Sequence, residues 1–138
     1  MVTREDLNRY VKYLNSLAAM DLWIESMYNT YRSPQMSSDG SSRPSSPGDP
    51  VWYACQRIEK AEKDREELRA KIKEIEEFVE AIEDPEEKSI CILRYLNGYT
   101  WEATCWILRK HRSAAVLTRI DNEWWSKYEK EHPEIVSN

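Results

Sequence analysis

The chain has 138 residues, 33% of them charged, and a net charge of −5 at pH 7. This length allows a single domain, or a domain with a helical extension, and a core of modest size. Residues 1 to 87 hold 12 basic and 19 acidic side chains, whereas residues 88 to 138 hold 8 and 6, so the C-terminal part is mildly basic. This balance argues against a protein that binds nucleic acid over its whole surface.

Residues that commonly carry catalysis or hold metal ions are few. The chain contains 2 histidines, 3 glycines and 3 cysteines, and Cys55, Cys91 and Cys105 lack the close spacing of zinc-ligand pairs. It has neither a glycine-rich phosphate loop nor a nucleophile elbow. No stretch is long and apolar enough to span a membrane or to act as a signal peptide. We therefore predict a cytoplasmic protein that is not an enzyme, with no cofactor, no metal and reduced cysteines.

The first predicted helix begins near Arg4, since Thr3 and Asp6 form a variant of the capping box. Trp23 and neighbouring methionines widen its apolar face, so we expect this helix to touch more than one partner. Residues at spacings of three and four, typical of a coiled-coil seam, are Leu7, Tyr10, Leu14, Leu17, Asp21, Ile24, Tyr28 and Tyr31.

A connector and a long helix follow. Residues 33 to 49 contain seven serines, three prolines and two glycines, which predicts a flexible loop. Asp49 and Pro50 then give a helix-start signal. The helix that follows is crowded with Glu, Lys and Arg, which we interpret as a solvated surface with ion pairs. Its seam residues are Val51, Ala54, Ile58, Ala61, Arg65, Leu68, Ile72, Ile75, Val79 and Ile82.

Two long amphipathic helices joined by a loop are expected to pair as an antiparallel hairpin over residues 1 to 83. If the hairpin sets Tyr31 opposite Val51, Asp21 lies opposite Ala61. The charged seam residues Asp21 and Arg65 then lie about one turn apart, and we predict that they form an ion pair. One of the two seams is also available to a second copy of the chain, so we expect a homodimer. The sequence leaves open which helix forms it.

Residues 84 to 131 predict a compact module of three short helices. The first helix begins at Pro85 behind the cap Asp84 and ends where Gly98 offers a left-handed stop. Thr100 can cap the second helix and Ser113 the third. Short helices with tight joints fit a helix-turn-helix, which makes the predicted fold all-α: a helical hairpin, this module, and a tail over residues 132 to 138.

The third helix of the module is predicted to continue to about Glu131, with Pro133 as its stop. Its inward face is expected to carry Leu117, Ile120 and Trp124. Because Trp125 follows directly, at least one of these tryptophans must face away from the core side.

The run RYLNGYTWEA, residues 94 to 103, resembles the R-Y-x-x-G-x-T-W-x-E signature of the C-terminal domain of bacterial sigma factors. The order of parts is closer still to small phage proteins with a sigma-like helix-turn-helix, the ArpU-type late-gene regulators. Those proteins share an N-terminal helical hairpin, a Pro/Ser/Gly segment, a charged helix and a D-P-E-E-type cap. The resemblance implies a transcription regulator that works in a bacterial host cell.

Under that resemblance the module contacts double-stranded DNA around its turn and third helix. Basic side chains at the turn suit phosphate contacts, while Arg119 and Asn122 are types that read base edges. The helix N-terminus adds its own positive end. The predicted DNA-binding residues are Arg109, Lys110, Arg112, Ser113, Thr118, Arg119 and Asn122.

A second interpretation remains open from the residues alone. The turn Arg109 to Arg112 lacks the glycine of sigma-like modules, and the third helix begins with Ala114, Ala115 and Val116, which cannot specify bases. The module could then bind RNA polymerase or another host protein. In that case the chain would be an acidic helical interaction protein, such as a phage-encoded inhibitor of a nucleic-acid enzyme that imitates DNA.

Overall fold

The computed structural model describes residues 1–31, 50–108 and 113–135. Within these ranges all regular secondary structure is helical, which confirms the all-α prediction. The predicted connector over residues 33 to 49 lies outside the described residues. The helices are α1 (Arg4–Asn8), α2 (Tyr10–Tyr31), α3 (Pro50–Glu80), α4 (Pro85–Ile90) with a π-helical extension (Cys91–Leu96), α5 (Trp101–Ile107), α6 (Ala114–Glu131) and a final 3-10 turn (Pro133–Ile135).

The helix starts follow the capping signals. Thr3 and Asp6 form the capping box of α1, and Asp84 accepts the Glu86 N–H at the start of α4. Thr100 caps α5 through the Ala103 N–H, and Ser113 caps α6 through the Val116 N–H. Each cap satisfies a backbone donor that the helix itself leaves free, which explains why these boundaries were predictable locally.

The stop after the π-helical extension is also as predicted. Gly98 has a φ of 75°, in the left-handed region. The Tyr99 N–H donates to the Leu93 carbonyl over 3.1 Å, the long-range bond of a helix-terminating glycine motif. A Cβ atom at this glycine would lie 3.1 Å from a methyl group of Val11, so both conformation and space favour glycine here.

The N-terminal segment corrects one prediction. Instead of one helix from Arg4, the chain forms α1 and α2 with a break at Arg9. The Arg9 N–H is shared between the carbonyls of Glu5 and Asp6, at 3.1 and 3.2 Å, so the turn tightens there before the regular pattern resumes.

Contacts divide the described chain into two compact units. One comprises Met1–Tyr13 together with Lys71–Asn138, and the other comprises Leu14–Ala70. The first residues of the chain therefore pack with its C-terminal part.

In the Leu14–Ala70 unit, α2 and α3 pack side by side in opposite directions. Ile24 and Met27 form a small core with Ile58 and Ala61 of α3. Arg65 Nη1 lies 3.4 Å from Asp21 Oδ1, which confirms the predicted ion pair. Leu14, predicted as a seam residue, is instead 37% exposed.

The other unit contains most of the fully buried side chains. These include Leu7, Ile75, Val79, Ile90, Leu117 and Trp125. Phe78 lies almost parallel to Trp125, with ring centroids 5.7 Å apart. Among the described helices, none combines the length and apolarity needed to cross a membrane.

The inward face of α6 differs from the prediction by about one residue. Trp125 is only 1% exposed, while Trp124 is half-buried beside it. Leu117, Asp121 and Trp125, spaced by four, therefore form the buried face, and Ile120 lies at its edge. Stacking of Trp125 on Phe78 selects this rotation of the helix.

Candidate nucleic-acid interface

Among the described residues, the candidate interface consists of α5 and the start of α6. α5 ends at Ile107, α6 begins at Ala114, and the two helices pack against each other. The exposed Ser113 caps α6, and the hydrogen bond from the Val116 N–H to its Oγ is 3.3 Å long. The first turn of α6 thus leaves backbone N–H groups beside the cap, the usual anion-binding feature of a helix N-terminus.

The structure places the predicted site residues in different settings. Arg109, Lys110 and Arg112 lie outside the described residues. Ser113 is exposed but its hydroxyl serves as the cap. Arg119 is 68% exposed on the second turn of α6 and lies 3.9 Å from Glu123, a weak surface pair that a phosphate could replace.

Two of the side chains predicted to contact DNA are engaged within the protein. The half-buried Thr118 donates its hydroxyl to the Ala114 carbonyl over 2.9 Å. Asn122 is exposed, and its side-chain oxygen accepts a hydrogen bond from the guanidinium of Arg4. Of the described residues predicted to contact DNA, Arg119 therefore has the freest polar group.

Behind this surface lies a buried polar network that was not predicted from the sequence. Asp121, fully buried on α6, accepts hydrogen bonds from Arg4 Nη2 at 2.9 Å and from the Tyr95 hydroxyl at 2.5 Å. Burial raises the pKa of the Tyr95 hydroxyl, and the hydrogen bond to Asp121 raises it further. The network ties α1, the π-helical extension and α6 together, and so sets the position of the outer face of α6.

Glu87 extends the network from α4. The Cys91 thiol donates to Glu87 Oε1 over 3.3 Å, while Glu87 Oε2 and Asp121 Oδ1 are buried without another hydrogen-bond partner. Burial, followed by interaction with Asp121, raises the pKa of Glu87 to about 10. The raised pKa keeps the proton on Glu87, and a protonated carboxyl at this position is a donor that the buried Asp121 carboxylate can accept.

The same side chains are of metal-ligand type. One ligand atom each from Glu87, Cys91 and Asp121 lies within 4.8 Å of the others. A cation would require both Glu87 and Cys91 to lose their protons, yet burial raises the pKa of each. The Arg4 guanidinium already supplies positive charge to Asp121. A shared proton therefore accounts for this cluster better than a metal ion.

A periodic signal for the network is present in the sequence. Glu87, Cys91 and Tyr95 recur at intervals of four, so they share one face of a helix. Asp121 lies four residues after Leu117 and four before Trp125, in the middle of an apolar face. Polar residues that share the spacing of a buried apolar face indicate a buried polar network, because a buried carboxylate needs hydrogen-bond partners.

The outer surface of α5 is unusually apolar. On this helix Trp106 is 81% and Ile107 43% exposed, and Tyr99, which precedes the helix, is also 43% exposed. Large apolar residues at such exposure are more typical of a protein contact than of a phosphate-binding surface.

Comparisons with protein-family models, with curated proteins and with solved structures return no significant match to this chain.

Proposed function

We propose that this chain is a phage-type DNA-binding transcription regulator with a sigma-like helix-turn-helix. Two arguments support the proposal: the resemblance of residues 94 to 103 to the sigma signature, and the capped, outward-facing start of α6. The observation that carries most weight is Arg119, exposed on the face of α6 opposite Leu117 and Trp125.

In this function α6 lies against the DNA and its N-terminus faces a phosphate. The Ser113 cap leaves neighbouring backbone N–H groups for that phosphate, and Arg119 reaches the next one along the groove. Arg4 holds Asn122 near the outer face, where the amide group can still meet a base edge. Phosphate contacts dominate in this arrangement, so affinity should depend strongly on salt.

A salt series on duplex DNA tests the proposal. Fluorescence anisotropy of the full chain should show binding that weakens steeply with salt, and Arg119→Ala should lower the slope of log K against log salt by about one. Arg9→Ala is the matched control, since Arg9 also forms an exposed ion pair with a glutamate four residues away. A double variant, Lys110→Ala with Arg112→Ala, should weaken binding further. Absence of DNA binding at low salt would refute the proposal.

A second candidate function is favoured by the exposed Trp106. In this function the module binds a host protein, for which bacterial RNA polymerase is the first choice, and α5 rather than α6 makes the contact. Binding of purified RNA polymerase to the full chain should then be lost in Trp106→Ala and retained in Arg119→Ala. The opposite pattern would exclude this surface.

Imitation of DNA by the acidic long helix has less support. The carboxylates of α3 alternate with basic residues and pair with them: Arg65 lies near Glu62 and Glu66, and Arg69 is 2.8 Å from Glu66. A helix that imitates DNA presents a row of carboxylates at the spacing of phosphates. The basic side chains of α3 interrupt and neutralise such a row.

A further inference from the structure

A cavity of about 500 Å³ opens between the end of α3, the start of α4 and the last turns of α6. All of its lining residues belong to the same compact unit. Its volume falls within the range of small-ligand sites, which is about 300 to 1,000 Å³. Neither the buried network nor the DNA-binding proposal uses this cavity.

One wall of the cavity is aromatic. Trp124 and Tyr128 are nearly parallel with ring centroids 5.2 Å apart, and His132 stacks on Tyr128 at 4.1 Å. Phe78 meets Tyr128 edge-on, with ring centroids 5.4 Å apart. All four rings line the cavity and are half-buried, and because Tyr128 stacks on both Trp124 and His132, these two outer rings of the stack present ring surface to the cavity. Ring faces carry partial negative charge and attract cations.

The remaining polar lining is mainly acidic. Glu83, Asp84 and Glu131 line the cavity together with one base, Lys127, which leaves a net charge of −2 if His132 is neutral. One carboxylate oxygen of Asp84 accepts a hydrogen bond from the Glu86 N–H over 3.0 Å, which leaves the other oxygen available. Glu83 and Glu131 are exposed at the rim and form no ion pair with any described residue. An aromatic wall with unpaired carboxylates suits a cationic, planar ligand.

We propose that this cavity binds the side chain of an arginine from a partner polypeptide. A guanidinium is planar, so it can pack against the aromatic wall of the cavity while its N–H groups meet the carboxylates of the lining. An ammonium group is compact and strongly hydrated, so it loses more hydration free energy than a guanidinium when it leaves water. It also gains no stacked contact with the rings. Anionic ligands are repelled by the lining, and neutral ones gain no electrostatic attraction.

NMR titration of the full chain tests the proposal. The probes are three peptides that differ at one residue, acetyl-Gly-X-Gly-amide with arginine, lysine or citrulline as X. The indole N–H signal of Trp124, assigned from its loss in Trp124→Phe, should shift saturably with the arginine peptide. The lysine peptide should bind at least threefold more weakly than the arginine peptide. The citrulline peptide, which has the same shape as the arginine peptide but no charge, should cause no shift.

Two variants separate the cavity from general electrostatic attraction. Glu83→Gln removes a rim carboxylate and should weaken arginine-peptide binding at least twofold, with an unchanged circular dichroism spectrum. Glu80→Gln removes an equally exposed carboxylate that does not line the cavity, and should leave binding unchanged. Equal shifts with arginine and citrulline peptides, no saturable shift, or equal effects of the two variants would overturn the proposal.

Discussion

Replacement of Glu87 by glutamine tests the shared proton in the buried network. In the folded protein the pKa of Glu87 is raised to about 10, because burial and Asp121 both disfavour its charge. In the unfolded chain the same carboxyl titrates near its ordinary value of 4.5. Between these values the folded state holds one proton more than the unfolded state, so stability falls as pH rises.

The size of the effect follows from this pKa difference. From pH 4.5 to pH 7 the free energy of unfolding should decrease by on the order of 3 kcal/mol through this group. Glutamine keeps the shape, accepts from the Cys91 thiol and donates an N–H toward Asp121, but needs no proton. Glu87→Gln should therefore match the wild type near pH 4.5 and exceed it at pH 7 by up to about 3 kcal/mol.

Urea denaturation at pH 4.5, 6, 7 and 8 measures this difference, with Glu80→Gln as the control for loss of one surface charge. The difference between wild type and Glu87→Gln isolates this titration, because all other groups are common to both proteins. If Glu87→Gln is less stable than wild type at pH 7 and retains the same pH dependence, Glu87 does not carry the proton and the hydrogen-bond assignment is wrong.

Three further experiments test the buried network and the left-handed stop in one unit and the ion pair in the other. Arg4→Ala leaves the buried carboxylate of the network without its cation and should cost about 2–4 kcal/mol of stability, whereas Arg9→Ala should cost less than about 0.5 in the same thermal denaturation. Equal costs would show that the network contributes nothing. Gly98→Ala should lower stability by about 1–2 kcal/mol, since alanine is strained at positive φ, and an unchanged melting temperature would contradict the left-handed stop. A double-mutant cycle with Asp21→Asn and Arg65→Ala should give a coupling of about 0.5–1 kcal/mol, and no coupling would mean that this half-exposed pair is not formed in solution.

The predictions that the structure confirms depend on local chemistry. Asp84, Thr100 and Ser113 cap the helices that the sequence assigns to them, because a cap requires only a side chain and the next few N–H groups. The same holds for Gly98, whose role follows from its own backbone. Apolar periodicity likewise located the buried face of α3, from Ala54 to Val79, since a long helix repeats its signal many times.

The predictions that needed correction depend on what lies opposite a helix. Sequence spacing alone could not choose between Trp124 and Trp125, since both are large and adjacent. The ring of Phe78 stacks on Trp125 and so decides the rotation of α6. Leu14 repeats in the seam yet is exposed, because periodicity shows which residues share a face and not how far a partner helix covers it.

The amino-acid sequence by itself determined the helical class, the capped helix starts and the paired charges Asp21 and Arg65, because each rests on neighbours in sequence or on a single long pairing. Only the tertiary structure brought Arg4, Glu87 and Asp121 together from three separate helices. The burial of Glu87 and Asp121 then decides where a proton resides. A pKa near 10 has no signature in residue order, since it arises from the exclusion of water by distant parts of the chain.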